Sequence, residues 1–121
     1  MTKTAKALYE FFSGFDIPAF VEFEVPDDVK PPYITYQLIS PQWRDSAQMY
    51  ARVWYRSKSF EAIAAKVDEI SAAIGEGVSI DTDDGAIWLF KGSNFAQNMP
   101  MEGDDTLKCM YLNIVIHALT E

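Results

Sequence analysis

The stretch WYRSKSF at residues 54–60, followed directly by EAIAAKVDEI at residues 61–70, decides the fold class of this chain. The first half ends a segment in which apolar and polar residues alternate, which is the pattern of a β-strand with one buried face. The second half places apolar side chains three or four residues apart, which is the spacing of one face of a helix. A strand therefore passes into a helix within a few residues, and the pattern predicts a mixed α and β fold.

The same two periods, followed outward from this junction, predict the element order α-β-β-β-α-β-β-β. The predicted helices cover residues 4–13 and 59–74, and the predicted strands cover residues 17–25, 33–39, 46–56, 78–80, 87–90 and 107–119. Strands joined by short turns favour antiparallel pairing, and two helices can cover only one face of the resulting sheet. We therefore predict one α+β domain over residues 1–121, with a mostly antiparallel sheet of about five to six strands and both helices on one face.

Three local features refine this prediction. Pro18 begins the first strand, and a proline cannot donate to a sheet ladder, so we expect that strand at an edge. Serines at positions 57 and 59 are suited to cap the second helix. Residues 92–105 contain glycine, proline and acidic residues, so we expect them to form an irregular excursion.

The composition is that of a folded acidic protein. The chain has 121 residues, 49% of them hydrophobic, and a formal net charge of -8. The electrostatic field of this negative charge repels phosphate backbones and anionic lipids. We therefore expect no tight binding to nucleic acids or membrane surfaces. No apolar run reaches the roughly 18 residues of a membrane-spanning helix, and the N-terminal residues lack the apolar core of a secretory signal. The single cysteine excludes an internal disulfide and is consistent with a reducing cytosol.

The residue types that carry catalysis or bind metals are scarce. His117 and Cys109, the only histidine and the only cysteine, lie on one side of the last predicted strand. At about 3.3 Å per residue they are about 26 Å apart, which is too far for a nucleophile and its base. The acids at positions 81, 83 and 84, and at 102, 104 and 105, lack the spacing of a calcium loop and are typical of turns. We predict no catalytic residue, no metal site and no cofactor.

One face of the predicted strand at residues 46–56 is not typical of a core. Tyr50, Arg52, Trp54 and Arg56 lie on this face, and smaller apolar residues lie on the other. Tryptophan, tyrosine and arginine are enriched in protein interfaces. Either this face contacts another chain, or a loop or a long side chain of the same chain covers it.

A second apolar group lies within the segment that we expect to be irregular. Phe95, Met99 and Met101 are close together there, beside Pro100. Exposed apolar loops of this kind mark contacts with other molecules. We predict that residues 93–101 reach a neighbouring protein.

Short segments along the chain form a series with a fixed order and spacing. They are PYITYQL at 32–38, WYRSKS at 54–59, ISAAIG at 70–75, GAIW at 85–88, GSNFAQNM at 92–99, DD at 104–105, KCMYLNI at 108–114 and LT at 119–120. Together they resemble the tail terminator or tail completion proteins of long-tailed bacteriophages and prophages. The resemblance extends from about residue 5 over nearly the whole chain. Two positions depart from the family pattern, since Cys109 replaces a basic residue and His117 replaces an acid.

This resemblance implies a structural protein and not an enzyme. Members of the family are expected to form a ring, commonly of six subunits, that caps the growing tail tube, stops its polymerisation and joins it to the neck. The implied partners are further copies of this chain, the tail tube protein and a neck or head-completion protein. DNA is implied only as cargo in the lumen, and no membrane is involved. The implied location is the tail–neck junction of the virion, and the host bacterial cytoplasm during assembly.

The candidate contacts of such a ring are the residues already singled out. They are Tyr50, Arg52, Trp54, Arg56, Phe95, Met99 and Met101. Two alternatives remain open: a head-completion or neck protein of similar size, and a small-ligand binding module that uses the aromatic face as a pocket. Gene order separates the first from a terminator, which should lie directly before the tail tube gene. Native mass spectrometry tests the second, since a binding module can remain monomeric with its ligand retained.

Overall fold

A computed structural model describes residues 3–39, 41, 45–83, 85–101 and 103–118, and these form two α-helices and six strands in the predicted order. The helices are α1 at Lys3–Phe12, followed by a 3-10 turn at Ser13–Phe15, and α2 at Glu61–Ile74. The strands are β1 at Ala19–Val21, β2 at Tyr33–Tyr36, β3 at Ser46–Arg56, β4 at Val78–Thr82, β5 at Gly85–Met99 and β6 at Leu107–Ala118. The prediction of an α+β fold is confirmed.

The strands form one curled sheet in the order β1-β2-β3-β6-β5-β4. Every neighbouring pair is antiparallel except β1 and β2, which run parallel. This exception arises because residues 22–32 carry the chain back to the end of the sheet at which β1 begins. β2 therefore starts beside the beginning of β1 and runs in the same direction. The mostly antiparallel prediction is confirmed, and β1, which Pro18 precedes, lies at an edge as expected.

The core lies between one face of the sheet and the two helices. Phe12 of α1 stacks on Tyr36 of β2, with ring centroids 4.9 Å apart. From α2, Ile63 and Ile70 are fully buried against the same layer. Neither described helix has the length and apolar character needed to cross a lipid bilayer. Both helices pack on one face of the sheet, so no described helix covers the opposite face.

The junction that decides the fold is stabilised by serine hydroxyls. The N–H of Ser59 donates to Ser57 Oγ at 3.1 Å, and the N–H of Glu61 donates to Ser59 Oγ at 3.1 Å. Because Glu61 is the first residue of α2, Ser59 satisfies one of the N–H groups that a helix start leaves unpaired. The helix begins two residues later than predicted, and Phe60 precedes it and is 46% exposed, so Phe60 lies outside the apolar face of the helix.

Two predicted strands are shorter in the structure. β1 ends at Val21, whose carbonyl oxygen accepts a hydrogen bond from the N–H of Glu24 at 3.0 Å, and this turn leads the chain away from the sheet. β2 ends at Tyr36, and Leu38 beyond this end is exposed. Alternation alone does not show where a strand loses its neighbour.

The prediction of an irregular excursion from residue 92 is wrong as far as Met99. β5 continues through this segment by means of a bulge, in which residues 92–95 stand opposite Asn113. Asn113 Nδ2 donates to the carbonyl oxygen of Asn94 at 2.8 Å, and Asn94 has a φ of 52°. A Cβ on Gly92 would lie 3.2 Å from the backbone oxygen of Asn113. The residues that indicate a turn in the sequence therefore form a β-bulge.

Candidate protein interface

The open face of the sheet is the face without helices, and at its centre it carries residues of β2, β3 and β6. In a sheet, directly opposed residues point to the same face. The register places Arg52 between Thr35 of β2 and Tyr111 of β6, and it places Tyr50 opposite Asn113. The residues of the open face include Tyr33, Thr35, Tyr50, Arg52, Trp54, Tyr111 and Asn113. The alternation predicted for β3 is therefore confirmed, and it brings four predicted residues onto one face.

Arg52 lies at the centre of this face between two aromatic rings. Its guanidinium carbon lies 5.3 Å from the ring centroid of Tyr50 and 5.7 Å from that of Tyr111. The two rings stack with centroids 5.0 Å apart. Among the described residues, no carboxylate forms a salt bridge with Arg52, and its buried Nε has no hydrogen-bond partner. An arginine oriented in this way is suited to pair with a carboxylate from another molecule.

Tyr50 connects this cluster to the edge of the sheet. Its hydroxyl donates a short hydrogen bond to Glu22 Oε2, in the turn that follows β1. This hydrogen bond raises the pKa of Tyr50, and burial and the negative charge of Glu22 act in the same direction. The phenol therefore stays neutral and holds the turn against β3.

Trp54 is partly covered by its neighbours on β2. Its Nε1 donates to Thr35 Oγ1 at 3.0 Å, and its ring centroid lies 6.3 Å from that of Tyr33. Trp54, Tyr50 and Arg52 are each half-buried. Neighbouring side chains of the same face thus cover part of them, and contact with another chain stays a prediction.

Arg56, the fourth predicted residue of β3, is paired within the chain. Its Nη1 donates to Asp104 Oδ2 at 2.8 Å and to Thr106 Oγ1 at 3.0 Å. The hydrogen bond from Arg56, together with those from Thr106, holds the pKa of Asp104 well below its usual range. Arg56 therefore fastens the turn before β6 to the end of β3.

The apolar residues predicted on the excursion have two different environments. Phe95 packs against the core, with Lys91 Nζ 5.7 Å from its ring centroid, so its expected place on an exposed loop is wrong. Met99 and Met101 are half-buried and line a pocket of about 210 Å³. We call this the Met pocket, and its lining includes Phe60, Met99, Pro100, Met101, Leu107 and Lys108.

The structure unites two predicted groups that are far apart in the sequence. Trp54 pairs with Cys109, and Cys109 pairs with Met99, so these three residues form one row across β3, β6 and β5. Trp54 and Met99 therefore lie about 10 Å apart, two strand spacings, on the same face. The Met pocket adjoins the open face through this row.

The two residues considered for catalysis lie towards opposite ends of β6. Cys109 is fully buried, and this burial raises the pKa of its thiol to about 11, so the reactive thiolate is disfavoured. His117 is half-buried opposite Trp88. Over the described residues, no three potential ligands among His, Cys, Asp and Glu side chains cluster to hold a metal ion. The acids Asp84 and Glu102, like the closing residues 119–120, lie outside the described part of the chain.

Sequence reasoning missed several members of this surface. Tyr111 lies two residues before Asn113 on the same strand, so the alternation of β6 could have placed both on one face. The hydrogen bond between Tyr50 and Glu22 joins residues far apart in the sequence, and no local pattern predicts it. The arrangement places aromatic rings around one cation that has no acidic partner among the described residues, and it is suited to contact with another protein. No protein-family model matches this chain, and no curated protein matches its sequence.

Proposed function

We propose that this chain is a structural protein of a phage or prophage tail. It acts as a tail terminator: it forms a ring on the tail tube, stops the polymerisation of the tube and joins it to the neck. The order and spacing of the segments from PYITYQL at 32–38 to KCMYLNI at 108–114 support this proposal by resemblance. The structural observation that carries it is the open face centred on Arg52.

The open face supports a role in assembly because its chemistry is that of a protein contact. Buried aromatic and arginine side chains supply most of the binding energy of protein interfaces. Arg52 is already oriented by Tyr50 and Tyr111, so little conformational entropy is lost when a partner binds it. A neighbouring subunit with an acidic side chain would complete this arrangement.

The two sheet edges support a ring in particular. β1 and β4 end the sheet, and an edge strand presents N–H and C=O groups that can pair with another chain. Two different surfaces that meet head to tail make a closed ring when the rotation between subunits closes. Each copy then covers an edge of the next, and no edge stays free.

The charge of the chain suits a lumen through which DNA passes. A net charge of -8 on each subunit repels the phosphate backbone. The partners in this proposal are further copies of the chain, commonly six in all, the tail tube protein and a neck protein. The place of action is the tail–neck junction, reached from the host cytoplasm.

Deletion of the gene from an intact phage, followed by electron microscopy of the particles, tests this proposal. A terminator is required to stop the tube, so the deletion should produce overlong tubes. Re-expression of the wild-type chain should restore tails of normal length. Detached tails of normal length would instead indicate a head-completion or neck protein, and normal virions would refute both roles.

A further inference from the structure

Phe23 is the most exposed large apolar side chain in the described part of the molecule. It is 92% exposed, in the turn that follows β1 at the edge of the sheet. Half-buried Glu22 and exposed Glu24 flank it, and the exposed acids Asp27 and Asp28 follow. A phenyl ring in this position does not contribute to the core of its own subunit.

The backbone of Phe23 is unfavourable as well. The N–H of Glu24 donates to the carbonyl oxygen of Val21, so Phe23 is the third residue of a four-residue turn, with a φ of 67°. Turns of this kind normally place glycine or asparagine there, because a β-carbon is strained at positive φ. Strained residues are found at sites of function when the surrounding structure maintains them. Exposure and strain together indicate that this ring is used outside its own subunit.

The Met pocket has the size and chemistry to receive such a ring. Its volume of about 210 Å³ exceeds the roughly 150 Å³ of a cavity that binds benzene. Methionines adapt their shape to an inserted group and make favourable contacts with aromatic rings. Lys108 lies at the pocket with its Nζ 4.8 Å from the ring centroid of Phe60, and the same Nζ donates to the carbonyl oxygen of Asp105, so a positive charge is held at the pocket rim.

We propose that Phe23 of one copy of this chain inserts into the Met pocket of the next copy. The inference rests on the proposed function, since it names the two surfaces that meet head to tail in the ring. In this contact, the phenyl ring fills the space beside Phe60 and Met101, and Glu24 faces Lys108. The two surfaces belong to different parts of the subunit, as a heterologous contact requires.

Charge distinguishes the Met pocket from the other apolar groove of the molecule. That groove, of about 190 Å³, lies beside Trp88 and Phe90, and its charged lining residue is Glu76. Glu76 would repel Glu22 and Glu24. The Met pocket is lined by Lys108 together with Asp104 and Asp105. Arg56 pairs with Asp104, so Lys108 is left to balance Asp105, and this lining repels an acidic segment less than Glu76 does.

Disulfide trapping between single-cysteine additions tests the contact. Equal amounts of a Glu24→Cys chain, which keeps Phe23, and an Asn98→Cys chain are oxidised together, because Glu24 and Asn98 are exposed and Asn98 lines the Met pocket. Matched controls replace Asn98→Cys by Ser79→Cys at the other groove, or Glu24→Cys by Leu38→Cys, which is similarly placed after a strand and exposed. The wild-type chain, with only the buried Cys109, measures the background.

The 24–98 pair should form a disulfide roughly tenfold faster than either control pair, because a specific complex raises the effective concentration of the two thiols. Equal rates for all pairs, or a faster 24–79 pair, would overturn the inference. If gene deletion gives overlong tubes while the trapping rates are equal, the inference fails and the proposed function stands. If deletion leaves virions normal, the proposed function fails, and the trapping rates still decide whether Phe23 enters the pocket of another copy.

Discussion

Phe23 has an unfavourable backbone conformation whose free-energy cost is not offset by packing within the isolated subunit. Its positive φ costs about 1–2 kcal/mol relative to an ordinary conformation, and its exposed ring returns little by packing. Nothing in the local sequence marks this, since FVEF at residues 20–23 and the following glutamate fit an alternating strand. The positive φ of Phe23 is recognised only in the structure, in the turn where the N–H of Glu24 donates to the carbonyl oxygen of Val21.

Replacement of Phe23 by glycine should therefore stabilise the subunit. Glycine adopts positive φ freely, although it adds freedom to the unfolded chain, so we expect a net gain of about 0.5–1 kcal/mol in the free energy of unfolding. Urea denaturation measures it. Leu38→Gly is the matched control, since Leu38 is exposed but has no positive φ, and it should lower stability. A Phe23→Gly subunit less stable than the wild type would contradict the strain argument.

At the scale of elements, the two long neighbours of β6 differ in how far the sequence determines them. β3 was predicted with its observed ends because its apolar residues alternate over the full length of the strand. The second half of β5 has no such alternation, and it is a strand because β6 offers a ladder on that side. Tertiary context overrides propensity in such a strand, which is why residues 92–99 and the row that joins Trp54 to Met99 could not be predicted.

The bulge in β5 should be sensitive to a single added methyl group. Gly92→Ala would place a Cβ 3.2 Å from the backbone oxygen of Asn113, and crowding of this kind costs about 1–3 kcal/mol. Gly14→Ala is the control, because a Cβ there meets no heavy atom within 4 Å. Thermal unfolding should show a lower midpoint for Gly92→Ala than for Gly14→Ala. Equal midpoints would mean that the bulge accommodates the added methyl group without loss of stability.

The turn between β5 and β6 should lose part of its stabilisation in acid. The pKa of Asp104 is lowered in the folded state by the hydrogen bond from Arg56, so its contribution is complete above the unfolded pKa of about 3.9 and is lost progressively as the pH falls from there through the lower folded pKa. Urea denaturation at pH 7 and pH 3 should show that Asp104→Asn destabilises most at pH 7 and less at pH 3, where the loss has begun. Asp105→Asn, whose side chain accepts no hydrogen bond from Arg56, is the control. A difference independent of pH would contradict the role of the ionised carboxylate.

At the scale of the whole molecule, one face of the sheet is covered by helices and the other is left to aromatic residues around Arg52. The sequence indicated this division, because two amphipathic helices cannot cover both faces. It did not indicate that Arg56 is paired within the chain or that Phe95 belongs to the core. Those assignments depend on which turn or strand lies opposite, and no periodicity carries that information.

Reversal of charge at the centre of the open face should impair assembly more than folding. We expect Arg52→Glu to weaken subunit association by at least about 2 kcal/mol, the level that defines a hot-spot residue of an interface. In a phage that lacks the gene, complementation by this variant should lower the plating efficiency at least about tenfold. Lys6→Glu makes the same change of charge at an exposed position of α1, on the helix-covered side of the sheet, and should complement normally. Urea denaturation controls for folding, and full complementation by Arg52→Glu would exclude Arg52 from the contact.

The hydrogen bond from Tyr50 to Glu22 has a consequence for the order in which contacts form. Glu22 precedes Phe23, and Tyr50 stacks on Tyr111 beside Arg52, so the edge turn and the central cluster restrict each other's rotamers. A neighbour that immobilises one of these sites removes freedom that the other would otherwise lose on binding. The second contact then forms at a smaller entropic penalty than the first, which favours completed assemblies over partial ones.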